Sequence, residues 1–298
     1  MEGLLKWSLQ NTAEDAPPPT AERMKELDPE IIDMILGKSD AERLAIARDE
    51  SREEGDRVVA LDDFEMLVEQ IDNANNLENL KMWEPLIELM HSPLPGVQRH
   101  AIWISGTAVQ NNSTAQKEFL KRDPLPYLLS LLTSGGSGGT RSKVLYCLSG
   151  TLKHNASAVQ RLHELGGWEV LKSALQDPDI TVRRKTAFLI NTLLLQDHKP
   201  ISNAAGLHSS DGPRVHGVEG GEQLSTDGLV RQAVVDHKLI RALVEPPPYG
   251  PNGDEDARKD PEYRESVGLV LDSFGHNGGE LGDAAGAVQA FREAPGAK

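Results

Sequence analysis

VQRHAIWISGTAVQNN (97–112), RSKVLYCLSGTLKHNA (141–156) and VRRKTAFLINTLLLQD (182–197) are versions of one another. Aligned on Thr107, Thr151 and Thr192, they recur at intervals of 44 and 41 residues. Matched positions agree in kind: Arg99/Lys143/Arg184, Trp103/Cys147/Phe188, Ile104/Leu148/Leu189 and Gly106/Gly150/Asn191. Each carries apolar residues at helical spacing, so each is read as one face of a helix.

A middle helix precedes each of these. Leu86-Ile87-x-Leu89-Met90 matches Leu128-Leu129-x-Leu131-Leu132 and Leu171-x-x-Ala174-Leu175. Breakers close each one: Ser92-Pro93-Leu94-Pro95, the SGGSGG run at 134–139, and Asp177-Pro178-Asp179. No helix continues through such turns, so the chain folds back on itself. Gln116 and Gln160, 44 residues apart, mark short first helices. A helical unit with a period of about 42 residues is the pattern of armadillo and HEAT arrays. The expected fold is therefore all-α: a right-handed superhelical armadillo-repeat solenoid with a flexible N-terminal arm. Such an array works by presenting a long curved surface.

Outward from the repeats, the chain divides as follows. Residues 1–20 form a flexible segment with a short amphipathic helix bearing Leu4, Leu5, Trp7 and Leu9, followed by Pro17-Pro18-Pro19. Residues 21–56 are a helical cap, in which Ser39-x-x-Glu42 reads as a capping box. Repeats occupy 57–197, opened by Phe64, Leu67, Val68 and Ile71 as one stripe. Residues 198–228, poor in large apolar groups, read as a disordered insertion. A degenerate last repeat covers 229–275, and 276–298 is a tail with at most a short helix. Trp83, Trp103 and Phe188 are expected in the core between helices.

The net charge of −15 disfavours nucleic acid, whose phosphates would repel the chain. No run of about 18 apolar residues exists to span a membrane. MEGLLKWSLQ is too short an apolar run for a secretion signal, which points to a cytoplasmic protein. The lone cysteine, Cys147, falls on an apolar helical face and reads as a buried hydrophobe. A monomer is expected.

Reaction chemistry finds little support. Gly135–Gly139 matches the form of a hydrolase nucleophile elbow, but a helix precedes it where that motif needs a strand. The same glycines lack the Gly-Lys-Ser/Thr of a phosphate loop. The nine histidines are scattered, without zinc-ligand spacing. No catalytic residue, cofactor or metal is expected. Pro246-Pro247-Pro248-Tyr249 is a PPxY string of the kind that docks in WW domains. Arg183-Arg184-Lys185 is a basic cluster opening a third helix, where armadillo stacks line their concave face, and it suits an acidic protein surface.

DNANNLENLKMWEPL (72–86), GTAVQNN (106–112) and the opening MEGLLKWSLQ resemble the Fes-type armadillo nucleotide exchange factors of the 70-kDa heat-shock chaperones. The resemblance covers roughly residues 1–200. It implies a core that grips one lobe of the chaperone's ATPase domain, so that ADP leaves, in support of protein folding and translation. By position it implies partner contacts at Asn73, Ala74 and Asn75 and at Arg184 and Lys185, with the small Ala74 permitting close approach. It also implies that residues 1–20 help to clear client from the chaperone. Two other readings stay open. An import adaptor would share the fold, but its ladder of Trp and Asn four apart is absent: Thr follows Trp103, Cys147 and Phe188 at that spacing. A scaffold recruiting ubiquitin ligases would use Pro246, Pro247 and Tyr249.

Overall fold

Ser39 opens the first helix of the computed structural model, which describes residues 39–133, 136–197 and 225–294. The expected N-terminal arm, half of the cap (21–38) and most of the 198–228 insertion lie outside the described residues. Ser39 accepts from the backbone N–H of Glu42, whose carboxylate accepts in return from Ser39, which is the expected capping box. It starts α1 (Asp40–Arg48), which packs on α2 (Glu54–Val68). The cap boundary expected at residue 56 thus falls inside α2. The stripe expected to run on to Ile71 is also broken. Val68 ends α2, and Ile71 opens the next helix with 40 % of its surface exposed.

Three repeats of three helices follow. The first is α3 (Ile71–Asn79), α4 (Trp83–Met90) and α5 (Pro95–Val109). The second is α6 (Ser113–Leu120), α7 (Leu125–Thr133) and α8 (Gly138–Leu152), and the third α9 (Ala156–Glu164), α10 (Gly167–Ala174) and α11 (Ile180–Leu195). The last repeat is α12 (Leu229–Asp236), α13 (Leu239–Val244) and α14 (Pro261–His276), closed by α15 (Ala285–Glu293). Val288 and Phe291 of α15 are buried, so the segment expected as a tail is the cap of the open end. Among the described residues there is no β-strand, only a single bridge between Tyr249 and Glu255.

The third helices α2, α5, α8, α11 and α14 pack side by side in that order and form the inner wall of the solenoid. The first and middle helices make its outer layers. Between layers lies one continuous core, in which Trp83 stacks on Phe119 at 5.3 Å and Trp168 is fully buried. Gly106 is required by the α5–α8 crossing: a Cβ there would come within 2.9 Å of the Cys147 backbone.

Short first helices are capped alike. Asn112 accepts from the N–H of Ala115 and Asn155 from that of Ala158, satisfying donors that a helix start leaves open. Glutamines then join successive repeats. Gln116 donates to the carbonyls of Gly150 and Lys153, and Gln196 to that of Leu152. Asp197 clasps the two ends of the insertion. Its carboxylate accepts from Thr226 and from the backbone N–H groups of Gly228, Val230 and Arg231 at the start of α12, while Ser225 donates to its carbonyl.

Candidate functional site

The inner wall leaves one stripe of each third helix uncovered. On α5 it is Arg99, His100, Trp103 and Thr107; on α8, Ser142, Lys143, Tyr146 and Ser149; on α11, Arg184, Lys185, Phe188 and Thr192. These spacings follow one side of a helix. The helices start 43 and 42 residues apart, at Pro95, Gly138 and Ile180. That register sets Trp103, Tyr146 and Phe188 in one column and His100, Lys143 and Lys185 in the column beside it. Contacts confirm it: the Lys143 Nζ lies 3.3 Å from the centre of the Trp103 ring and 6.0 Å from that of Tyr146, and the Lys185 Nζ 6.0 Å from Tyr146.

The intervals of 44 and 41 therefore give way to 43 and 42. The three aligned threonines are not equivalent. Thr107 is half-buried and donates to Glu65 at 2.6 Å, Thr151 is fully buried, and Thr192 is half-buried and donates to the Phe188 carbonyl. A slip of one residue turns a helix by about 100°, which exchanged Tyr146 for Cys147. Cys147 is in the core, where burial pushes its thiol up to about 12. Of the three aromatics expected in the core, only Trp83 is there; Trp103 is half-buried, and Phe188 is 54 % exposed. A signal for Tyr146 was present in the sequence, since the capping residues Asn112 and Asn155 also lie 43 apart.

The lysines are not ordinary surface charges. Burial against the two rings, with Lys185 and Arg99 nearby, brings the Lys143 ammonium down to about 8, against the opposing pull of Glu65 and Asp62. Burial also lowers Lys185. His100 faces Asp62 of α2 at 3.0 Å and the Gly96 carbonyl at 2.6 Å. Apolar residues extend the wall at both ends: Val59 and Met66 on α2, Leu195 on α11 and Leu269 on α14 are all exposed.

The expected basic cluster divides among three roles. Arg183 is fully buried and donates to the carbonyls of Asp177, Pro247 and Pro248. Arg184 forks onto Asp260 and also reaches Glu262 at 2.7 Å, so its guanidinium is engaged within the chain. Only Lys185 keeps its charge toward the groove. Ala74 is 3 % exposed, its methyl covered by the chain's own core, so its small size serves packing rather than a partner's approach. Asn73 is half-buried and donates to the Leu67 carbonyl at 2.9 Å, and the buried Asn75 Oδ1 has no hydrogen-bond partner. All three sit on α3, which packs on α2, α5 and α6. Lys185, on α11, is separated from them by α5 and α8.

The PPxY string is pinned. The carbonyls of Pro247 and Pro248 accept from Arg183, whose guanidinium lies 5.3 Å from the Tyr249 ring centre. Tyr249 pairs with Glu255, and Gly250 donates to the Pro178 carbonyl. The corrected aromatic column still lacks an asparagine ladder: Thr107, Gly150 and Thr192 stand four residues on.

Fold and inner wall together define an armadillo-repeat solenoid whose groove is lined by aromatic rings and half-buried ammonium groups. The family described as Nucleotide exchange factor Fes1 matches residues 1–77, and the SIL1/FES1/HPBP1 C-terminal domain matches residues 73–214. The Hsp70 nucleotide exchange factor FES1 of Mycosarcoma maydis is 38 % identical over 91 % of this chain and 82 % of its own length. Its counterpart in Schizosaccharomyces pombe is 34 % identical over 67 % of this chain and 71 % of its own. The chain belongs to the Fes1 family of nucleotide exchange factors. A designed armadillo repeat protein, solved with the peptide (KR)4, superposes with a TM-score of 0.59 over 91 % of this chain and 99 % of its own, at 14 % identity. That likeness concerns the fold alone.

Proposed function

We propose that the inner wall docks on the ATPase domain of a cytosolic 70-kDa heat-shock chaperone and speeds the release of ADP. Family membership supplies the class of partner. The observation that carries the docking face is the column of Trp103, Tyr146 and Phe188 flanked by Lys143 and Lys185. Buried aromatics at the centre of an interface with a few charged neighbours are the usual source of binding energy. On a chain of net charge −15, these ammonium groups select an acidic partner surface.

Release needs no reacting group on this chain. A factor that binds the nucleotide-free chaperone more tightly than the ADP-bound one weakens ADP by the same factor. In this reading the protein acts as a monomeric co-chaperone in protein folding and carries out no catalysis of its own.

The test is stopped-flow release of a fluorescent ADP from such a chaperone. The wild-type chain accelerates release by at least tenfold. Phe188→Arg, at an exposed position, leaves the melting temperature unchanged and removes most of that acceleration. Ala74→Arg is uninformative here, since it forces a charge into the core. No acceleration by the wild-type chain would overturn the proposal, and so would full activity in Phe188→Arg combined with Tyr146→Ala.

A further inference from the structure

Two carboxylates of α2 reach the inner wall, and they differ in kind. Asp62 is exposed and meets the His100 imidazole at 3.0 Å. Glu65 is turned inward, with 5 % of its surface exposed. Its carboxylate accepts from the Thr107 hydroxyl at 2.6 Å, and the Thr107 oxygen lies 3.4 Å from the Tyr146 hydroxyl. A carboxylate can only accept, so it fixes the sense of this chain. Thr107 gives its one proton to Glu65. The contact beyond is therefore made by the Tyr146 O–H, donating to Thr107.

The Tyr146 ring is held at the same place by packing. It lies against Gly106, where a Cβ would come within 2.8 Å of the ring. Gln110 donates to the Tyr146 carbonyl at 3.3 Å. The ring thus rests on α5, and its hydroxyl reaches the next turn of that helix.

The charge of Glu65 acts on a second member of the wall. The Lys143 Nζ stands 3.3 Å from the centre of the Trp103 ring. Burial, then Lys185 and Arg99, lower its ammonium, and Glu65 opposes them ahead of Asp62. Asp62 is already engaged by His100, whereas Glu65 has no cation paired with it among the ion pairs of the described residues.

Taking the inner wall as the docking face, we propose that Glu65 is a positioning residue for docking: through Thr107 it turns the Tyr146 hydroxyl proton inward, and it holds the Lys143 ammonium at the Trp103 ring. Tyr146 then meets a partner with oxygen lone pairs, and Lys143 meets it with N–H groups. A fitting surface sets a hydrogen-bond donor opposite Tyr146 and a carboxylate opposite Lys143. A surface with the two exchanged leaves polar groups unpaired on both sides, so the pair discriminates as well as binds.

The test has one arm without a chaperone and one with it. In the free full-length chain, lysine-selective 13C labelling follows the Lys143 side chain by NMR, assigned with Lys143→Arg. Its titration midpoint in the wild type is about 8. Glu65→Gln keeps an oxygen that accepts from Thr107 but carries no charge. It should move the midpoint to lower pH by about 0.5 or more. Thr107→Val keeps the charge and breaks the chain. It should leave the midpoint in place and weaken the Tyr146 ring's contacts with Gly106 at least threefold, read as cross-relaxation. A Lys143 midpoint that ignores Glu65→Gln, or a Tyr146 ring that ignores Thr107→Val, would overturn the proposal.

The second arm measures dissociation from the ATPase domain of a 70-kDa heat-shock chaperone. Each variant, at unchanged melting temperature, should leave at least about threefold faster than the wild type. A wild-type complex whose dissociation ignores Glu65→Gln would overturn this proposal alone. No complex with the wild-type chain would overturn the docking face itself and this proposal with it.

Discussion

Helix α11 has two neighbours on the inner wall, and it holds them by different means. Toward α8 the helix faces pack through apolar side chains, with Gln196 on the Leu152 carbonyl at one end and the buried Arg141 of α8 forked onto Asp177, just ahead of α11, at the other, and Lys185 is left facing the groove over Tyr146. Toward α14 it is polar: Arg184 on Asp260 and Glu262, Asn191 accepting from Ser273 at 2.6 Å, and Asn277 donating to the Leu194 carbonyl. Arg183, one residue before Arg184, turns inward and ties down the loop at Pro247 and Pro248. Three adjacent cations thus serve three ends. Within an acidic solenoid, a basic cluster can be the mortar of the last repeat as readily as a partner's landing point.

Breaking the polar join tests this contrast most severely. Arg183→Ala strands the buried Asp177 carbonyl and frees those of Pro247 and Pro248, and should destabilise the last repeat by about 3 kcal/mol. Hydrogen exchange should rise across residues 261–276 while residues 95–152 keep their protection. Equal loss in both regions would mean that α11 unites the two sides into one cooperative unit.

Asp260→Ala removes one of the two carboxylates on Arg184 and the cap that accepts from the Tyr263 N–H, for a cost of about 2 kcal/mol. The wild-type contribution has a pH signature. Burial would raise the Asp260 carboxyl, but the Arg184 guanidinium and the Tyr263 N–H outweigh it and hold the group below its usual range. A carboxyl lowered in the folded state adds stability above its unfolded value of about 4, and that stability is lost as pH falls through the lower folded value. Exchange in α14 should therefore rise below about pH 4 in the wild type, but not additionally in Asp260→Ala.

On the apolar side, Lys143 titrates near 8, so an acidic partner surface that pairs with it must raise it again. Binding near pH 8 should take up about half a proton, read by calorimetry in buffers of different ionisation enthalpy. Lys143→Met should abolish the uptake. The smallest effect is expected between the two sides. Replacing residues 198–224 by a short Gly-Ser linker should shift the melting temperature by about 2 °C or less, because Asp197 and Ser225 already meet.

Periodicity made the solenoid legible, and Ser39-x-x-Glu42 marked a helix start correctly. The register was harder. Threonine is common at several helical positions, whereas the capping asparagines do one job and keep the interval of 43. Cys147 against Tyr146 then decides which residue faces the groove. Long-range pairings were not legible at all. Nothing near Arg184 announces Asp260, 76 residues on, and nothing near Arg183 announces the Pro247 carbonyl. Ala74 looks like a small surface residue in DNAN and is core, because α3 turns that face toward its neighbours. A short helix is compatible with the sequence at the C-terminal end, but its packing as a cap is not legible there, because Gly and Ala are frequent in α15 and its anchors are Val288 and Phe291.

The most direct test of the docking face is a hydrogen-exchange footprint of this chain with and without the ATPase domain of a 70-kDa heat-shock chaperone. New protection should fall on residues 99–110, 142–153 and 184–195, with the outer helices α6 and α9 unchanged. Protection centred on α6 and α9, or no footprint at saturating partner, would contradict the inner wall as the binding surface.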